Sequence, residues 1–382
     1  MSPGSKATSK PPRSIRNSSR RAGKYGRWSG RRSSRDSDAK REEGGKEMKM
    51  KTLFVAVAIT AAFCTSAMAA TKINLNSQPN DAGFPMWLAK KLGYFKDNGI
   101  DAKITYFPNG GAALASGVSG DWQAGWTGAP PAISGWDKFQ LISVGTMQKE
   151  DRNIKLIVRN DALKGGKIAD VLTKVKIGTV PNSTWSQVLY ACADHFGVSH
   201  DALKIVPLDP PVTRQSLRSG EIGAGMTDAA PDYDFVHDPK TYTVVCDGKI
   251  AGTSVVDPYI VTSRFWKEKP KAAIGFIEAV YRADQYMHDN PQKFLDYVTQ
   301  YYKETGIDLT RKQAAYSYSL RDFQTLDQAL SDMESGKTIK DLTTTAKVLV
   351  GAGAYDAVPD FSAMQPISLE ILKAAKKLRD SR

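Results

Sequence analysis

Six short stretches of this 382-residue chain carry side chains suited to holding a small molecule. They are Gln78 with Asn80, Asn109-Gly110-Gly111, Trp126-Thr127-Gly128, Thr146, Asn182-Ser183-Thr184-Trp185 and Thr227-Asp228, with Phe84 close behind the first. Their chemistry is mostly neutral hydrogen bonding: amides and hydroxyls donate and accept, Gly-rich turns expose backbone N–H groups, and Trp rings offer apolar walls. Groups of this kind bind a solute and do not attack one. His195, His200, His237 and His288 have neither metal-ligand nor triad spacing, and Cys192 falls inside a probable helix, away from the N-terminal position that favours a reactive thiolate. No catalytic residue, metal or cofactor is expected.

Each stretch also has a purely architectural use. Asn182 and Ser183 have the chemistry of helix caps, and Gly110-Gly111 that of a simple turn. Trp126 and Trp185 suit a pocket wall or a core equally. Asp228 suits an amine on a ligand or a cap on the next turn. Trp87, spaced with Leu88 and Leu92, reads as core.

The elements that must position these residues follow from periodicity. Lys72 to Asn76 alternates like a half-buried strand, and Phe84, Trp87, Leu88, Leu92 and Phe95 recur at helical spacing before a stop at Asn98-Gly99. A second strand, Ala102 to Phe107, runs into the turn Pro108-Asn109-Gly110-Gly111 and another helix. The plan recurs about 100 residues later: Lys174 to Val180 is a strand, Pro181-Asn182-Ser183-Thr184 a turn, Trp185 to Phe196 a helix, and Leu203 to Leu208 a strand. The segments 119–128 and 219–228, SGDWQAGWTG and SGEIGAGMTD, agree at five of ten positions, which together with the ordered recurrence predicts two similarly built lobes. Thr253 to Ser263 is the return strand, with Pro258 suiting a hinge or edge position, and from Lys271 onward the patterns are helical. Strand-end loops and helix N-termini then share one edge of each lobe, where facing lobes make a cleft.

Charge sorts the possible partners. The formal net charge is +13, yet residues 1–51 hold 16 Lys and Arg against 5 Asp and Glu, leaving 37 against 35 for residues 52–382. A nearly neutral folded part removes the support for nucleic-acid binding. The leader from Ser2 to Lys46 is basic, rich in Ser and Gly, and expected to be disordered. Met48-Lys49-Met50-Lys51, the apolar run Leu53 to Phe63 and the small-residue pattern Ala67-Met68-Ala69 have the layout of a secretory signal peptide cleaved after about Ala69. Such a run makes about 16 Å of helix, short of the roughly 30 Å of a bilayer core. A true start at Met48 or Met50 accounts for the unusual leader. The expected organisation is a leader at 1–47, a signal at 48–69, a first lobe from 70–158 plus about 255–382 with the helical tail, and a second lobe at 159–254. Cys64 leaves with the signal, and Cys192 and Cys246 stand either as a pair or as two buried thiols.

The run Phe84-Pro85-Met86-Trp87-Leu88-Ala89-Lys90-Lys91-Leu92-Gly93-Tyr94-Phe95, then Asn98-Gly99-Ile100-Asp101, the Gly-Gly turn and Ser119-Gly120-Asp121, resembles the nitrate/sulfonate/taurine type of ABC-transporter substrate-binding proteins. Lys176-Ile177-Gly178, Pro181-Asn182-Ser183-Thr184 and Leu217-Arg218-Ser219-Gly220-Glu221 are similar to the matching second-lobe signatures, so the resemblance spans about residues 70–300. It implies an α/β, two-lobed periplasmic-binding-protein-like fold of type II, each lobe a mixed sheet flanked by helices, with a helical C-terminal tail. It implies a periplasmic monomer that closes on a small-molecule solute, such as a sulfonate, taurine or nitrate-like anion, and delivers it to a membrane permease and its ATPase. With no P-loop in the chain, ATP is used by a partner. Arg214 is the one cation near the candidate loops, and Trp126, Trp185 and Phe84 leave room for an aromatic or heterocyclic solute instead. An enzyme on the same fold, of the pyrimidine-precursor synthase or desulfinase kind, would want a Cys cluster or a Cys supported by His, which the first-lobe loops lack.

Overall fold

In the computed structural model, which describes residues 69–382 apart from Ala229 and Asp232, the first alternating run forms β1 (Thr71–Ser77) and buries Ile73 and Leu75. The expected leader and all but the last residue of the expected signal peptide lie outside the described residues. β1 lies parallel to β2 (Ile100–Tyr106), in register from Thr71↔Ile100 to Ser77↔Tyr106, and parallel to β3 (Ala124–Trp126) on its other side. Parallel neighbours need crossover connections, and the helices Phe84–Lys91 and Gly110–Val118 provide them. β4 (Ile142–Lys149) ends this first pass.

The second sheet is built from β5 (Lys155–Arg159), β6 (Lys176–Thr179), β7 (Lys204–Pro207), β8 (Ala224–Thr227) and β9 (Tyr242–Asp247). The chain then returns through β10 (Val256–Val261), and β11 (Asp322–Phe323) adds an edge. The strand orders are β11-β4-β10-β3-β1-β2 and β7-β6-β8-β5-β9. Both contain the same series: a parallel trio, one antiparallel strand against it, then a strand antiparallel to that one. The echoed Ala-Gly dipeptides do the same job in each, Leu75↔Ala124 and Asn76↔Gly125 in one sheet, Ile177↔Ala224 and Gly178↔Gly225 in the other. The architecture is a two-lobed α/β fold with a helical C-terminal region.

Several details differ from the sequence reading. β5 pairs with β8 and β9, so the crossing into the second sheet lies at residues 150–154, ahead of the expected boundary at 158. The first helical run breaks at Leu92-Gly93 and resumes as Tyr94–Asp97. Pro258 sits in the central strand β10, where a register irregularity accommodates its missing N–H. The tail contains the short strand β11 and a helix, Leu326–Glu334, that periodicity missed.

Each sheet has its own core. In the second, Leu156, Val158, Ile177, Val188 and Leu189 pack together, and Cys192 on the helix Thr184–His195 is joined to Cys246 on β9 by a disulfide, with Cα atoms 6.1 Å apart. In the first, the long helix Pro270–Asp289 packs on the helices Phe84–Lys91 and Met364–Asp380. Phe84 is wholly buried there among the rings of Trp87, Phe294, Tyr301 and Tyr318.

Two segments, residues 150–154 and 248–255, connect the sheets, and they are hydrogen-bonded to each other. Glu150 N donates to the Val255 carbonyl at 2.9 Å, Val255 N to Asp151 Oδ1 at 2.6 Å, and Lys249 N to the Asp151 carbonyl at 3.0 Å. The two segments therefore form one paired crossing between the sheets.

Candidate functional site

The helices that open onto the cleft do so by local chemistry. The Asn109 side chain accepts from Ala112 N and starts the helix Gly110–Val118; Ser183 forms a capping box with Ser186 and starts Thr184–His195. The helices Ala129–Phe139 and Pro210–Ser219 begin instead with Pro130-Pro131 and Pro210-Pro211, whose rings preset the first turn but carry no N–H. Between these four helix starts lies a cavity of about 270 Å³.

The first sheet contributes Gln78, Pro79, Asn80, Asn109, Gly110, Trp126, Gly128 and Pro131 to its wall, and the second Val180, Ser183, Thr184, Trp185, Pro210, Pro211, Arg214 and Asp228. The strands beside the crossing and the crossing itself add Asp257 and Glu150, and the tail adds Ile307 and Arg321. Gly128 is required by close approach: a Cβ there would stand 2.9 Å from Thr184 Cγ2, across the cleft, and 3.4 Å from Asp257 Oδ1. The lobes also touch directly. Asn109 Nδ2 donates to Asp209 Oδ1 at 2.8 Å, so the capping residues of two equivalent helices meet.

The remaining sequence candidates lie behind this wall. Phe84 belongs to the core. Thr127 is buried under Gly110, whose Cβ would stand 2.6 Å from Thr127 Oγ1. Gly111 sits against the Asn109 cap, with its own Cβ position 3.3 Å from Asn109 Oδ1. Thr146 and Thr227 are buried within β4 and β8, the Thr146 carbonyl accepting from Tyr281 Oη at 3.1 Å. Asn182, at φ 47°, bridges the lobes instead: its Nδ2 donates to Ser134 Oγ at 3.3 Å and its Oδ1 accepts from Tyr355 Oη at 2.8 Å. Trp126 and Trp185, which the sequence placed equally in wall or core, are buried and still form wall.

Three charged groups, Arg321, Glu150 and Asp257, are what sequence reasoning missed. Arg321 is buried and donates to Glu150 Oε2 through Nη1 and to Asp81 Oδ2 through Nη2 at 3.3 Å. Asp81 also accepts from Tyr302 Oη at 2.7 Å and from Ser317 Oγ. Gln148 Nε2 donates to Asp257 Oδ2 and, at 3.4 Å, to Glu150 Oε2, which Asn153 also reaches at 3.0 Å. Burial pushes the Asp257 carboxyl up to about 6, the Gln148 and Arg321 contacts opposing it. Burial, then the charge of Asp257, raises Glu150 well above the ordinary carboxylate range, with Arg321 pulling the other way. Burial also raises Asp228. For Arg321 burial works against the charge, but Glu150, Asp81 and Asp228 outweigh it and hold the guanidinium above its ordinary value. An Asp inside the apolar run Val255-Val256-Asp257-Pro258-Tyr259-Ile260-Val261 was a readable signal; Arg321, between the helix Arg311–Tyr318 and β11, gave none.

Among the described residues the lining holds amides, hydroxyls, carboxylates, two guanidinium groups, two indoles and six prolines, and no Cys, His, Lys or Tyr side chain. It can enclose and hydrogen-bond a small solute. The fold and this cleft define the chain as a two-lobed solute-binding-type protein. Residues 80–294 match the family described as NMT1/THI5 like, and the chain belongs to that family. It is 23% identical over 247 residues to a taurine-binding periplasmic protein of Escherichia coli, covering 62% of this chain and 73% of the relative. Among solved structures, it is similar to the alkanesulfonate-binding protein SsuA of Xanthomonas axonopodis pv. citri bound to MOPS, at TM-score 0.63 and 15% identity, covering 78% and 97% of the two chains. It is likewise similar to the periplasmic nitrate-binding protein NrtA of Synechocystis, at TM-score 0.60 and 11% identity, covering 81% and 89%. The resemblance read from the helix Phe84–Lys91 and its flanks is borne out at the level of family and fold.

Proposed function

We propose that this protein is the solute-binding component of an ABC importer, closing its lobes on a small solute and presenting it to a membrane permease whose ATPase powers transport. The observation that carries this reading is a cavity walled from both sheets, beside the paired crossing that joins them. Closure hides the solute and gives the permease a shape to distinguish. The ligands in the relatives' names, taurine, alkanesulfonate and nitrate, set the first class to test. The backbone N–H groups at the starts of Gly110–Val118 and Thr184–His195, with Arg214 and Arg321, are the groups suited to an anionic end. A periplasmic location is supported by the signal-like segment before Thr71, by the periplasmic naming of the taurine-binding relative and by the Cys192–Cys246 disulfide, which belongs to an oxidising compartment. A binding role without turnover is supported by the relatives being named as binding proteins.

Isothermal titration and thermal-shift screening of the purified protein against taurine, alkanesulfonates and nitrate test this. A ligand at 100 times its dissociation constant should add about 2.7 kcal/mol of stability and be recovered unchanged. Consumption of the ligand would overturn the binding reading.

A further inference from the structure

The cavity is polarised, and its pole beside the crossing is acidic. Glu150, Asp228 and Asp257 line it against Arg214 and Arg321, and Arg321 already divides its donors between Glu150 and Asp81. Asp257 is 2% exposed, takes Gln148 on Oδ2, and leaves Oδ1 without a hydrogen-bond partner among the described residues. An unpartnered carboxylate oxygen in so dry a place is costly unless a donor arrives. Asn80 Oδ1 is a second buried acceptor without a partner in the same lining. Prolines at the openings of Ala129–Phe139 and Pro210–Ser219 remove N–H donors that a plain oxyanion would use at two of the four helix starts. The walls left between these poles are Trp126, Trp185 and proline rings.

We propose that the solute carries a protonated amine or amidine-type group, and that Asp257, supported by Glu150 and Gln148, receives it at the pole beside the crossing. The inference deepens the solute-capture reading and rests on it. It sets the expected ligand apart from nitrate and simple alkanesulfonates, which offer this pole no donor. A cation delivered to Oδ1 satisfies the orphan oxygen and offsets the repulsion between Asp257 and Glu150, while Trp126 and Trp185 cover the body of the solute.

Matched probes test the proposal by titration calorimetry on the purified protein: taurine against ethanesulfonate, β-alanine against propionate, and 4-aminopyridine against 4-methylpyridine. In at least one pair the more strongly cationic amine should bind about tenfold tighter or better than its partner, a difference of about 1.4 kcal/mol. That gap should shrink below about threefold in Asp257→Asn, a near-isosteric change whose fold is checked by its thermal melt. A measurement on the unaltered protein guards against a misfolded variant. The charged groups facing Asp257 are Glu150, Arg321 and Asp228, and with Asp257 itself shifted up to about 6, affinity for taurine or β-alanine should rise between pH 5 and pH 7.5 as the carboxyl pole ionises. Tighter binding of the amine-free partners, a gap that survives Asp257→Asn in a folded variant, or affinity that falls over that pH range would each overturn the amine pole while leaving solute capture intact. Failure of every probe to bind at about 10 mM would overturn both readings.

Discussion

Arg321 shows what a single buried charge does for this fold. With Asp81 and Glu150 buried around it, removing the guanidinium strands two carboxylates, and such losses cost about 3–5 kcal/mol. Arg321→Ala should therefore shift the urea midpoint by that much, and a change under about 1 kcal/mol would show that water replaces the guanidinium. The same burial makes the site pH-sensitive in an unusual sense. Asp257 holds its proton more tightly folded than unfolded, so its contribution to stability is complete below its unfolded value near 4 and is lost as pH rises through about 6. The ligand-free protein should thus lose stability relative to Asp257→Asn between pH 4.5 and pH 7, as read by paired thermal melts. A paired difference that stays flat over that interval would show Asp257 to be ordinary. Of these groups only Asp257, inside an apolar run, left a signal in the sequence. Glu150 and Arg321 stand in polar, charge-mixed sequence that looks solvated, and only the tertiary fold brings a tail arginine to the cleft. Asn109, Thr184 and Trp185 were readable because local turn chemistry already placed them at helix starts.

At the scale of elements, the sequence read best where local preference and tertiary need agree. Pro79-Asn80 and Pro181-Asn182 each follow the first strand of a lobe, so the repeat of the plan was visible before any contact was known. Thr127, Thr146 and Thr227 were misplaced for a related reason. Thr127 and Thr227 sit at the ends of strands of three and four residues, which give too little pattern to fix a face, and Thr146 lies inside the eight-residue β4; all three are buried. Caps are the part of this layer that can be tested cleanly. Ser183 accepts from Trp185 N and Ser186 N while Ser186 Oγ accepts from Ser183 N, so Ser183→Ala should cost about 1 kcal/mol by chemical denaturation. A negligible loss would mean that Thr184 or water takes over the cap. The Thr184–His195 helix is further anchored by Cys192, and its disulfide encloses a separation of 54 residues, for which chain entropy suggests about 4 kcal/mol. Reduction should accordingly lower the melting temperature without separating the lobes.

The proposed capture requires the lobes to close, and Gly248 is a place where the paired crossing can be perturbed without touching the cavity. A Cβ at Gly248 would lie 2.9 Å from the Asp151 carbonyl oxygen and 2.9 Å from Val255 Cγ2, between the two crossing segments. Gly248→Ala must therefore push them apart, straining the hydrogen bonds that Val255 N and Lys249 N make to Asp151. Both sheets keep their own buried clusters, so the variant should remain folded at a modest cost of about 1–3 kcal/mol. Contacts between the lobes such as Asn109 to Asp209 are exposed and each worth only about 1 kcal/mol, so in the proposed closure a small strain at the crossing is enough to shift the balance of open and closed forms. Apparent affinity scales with the fraction able to close, and a tenfold drop in that fraction weakens binding tenfold, or about 1.4 kcal/mol. Gly248→Ala should then bind its solute about tenfold more weakly, and small-angle scattering should show a larger radius of gyration before ligand that contracts when ligand saturates. If affinity and radius both match the unaltered protein, residues 150–154 and 248–255 are a passive tether and closure turns elsewhere.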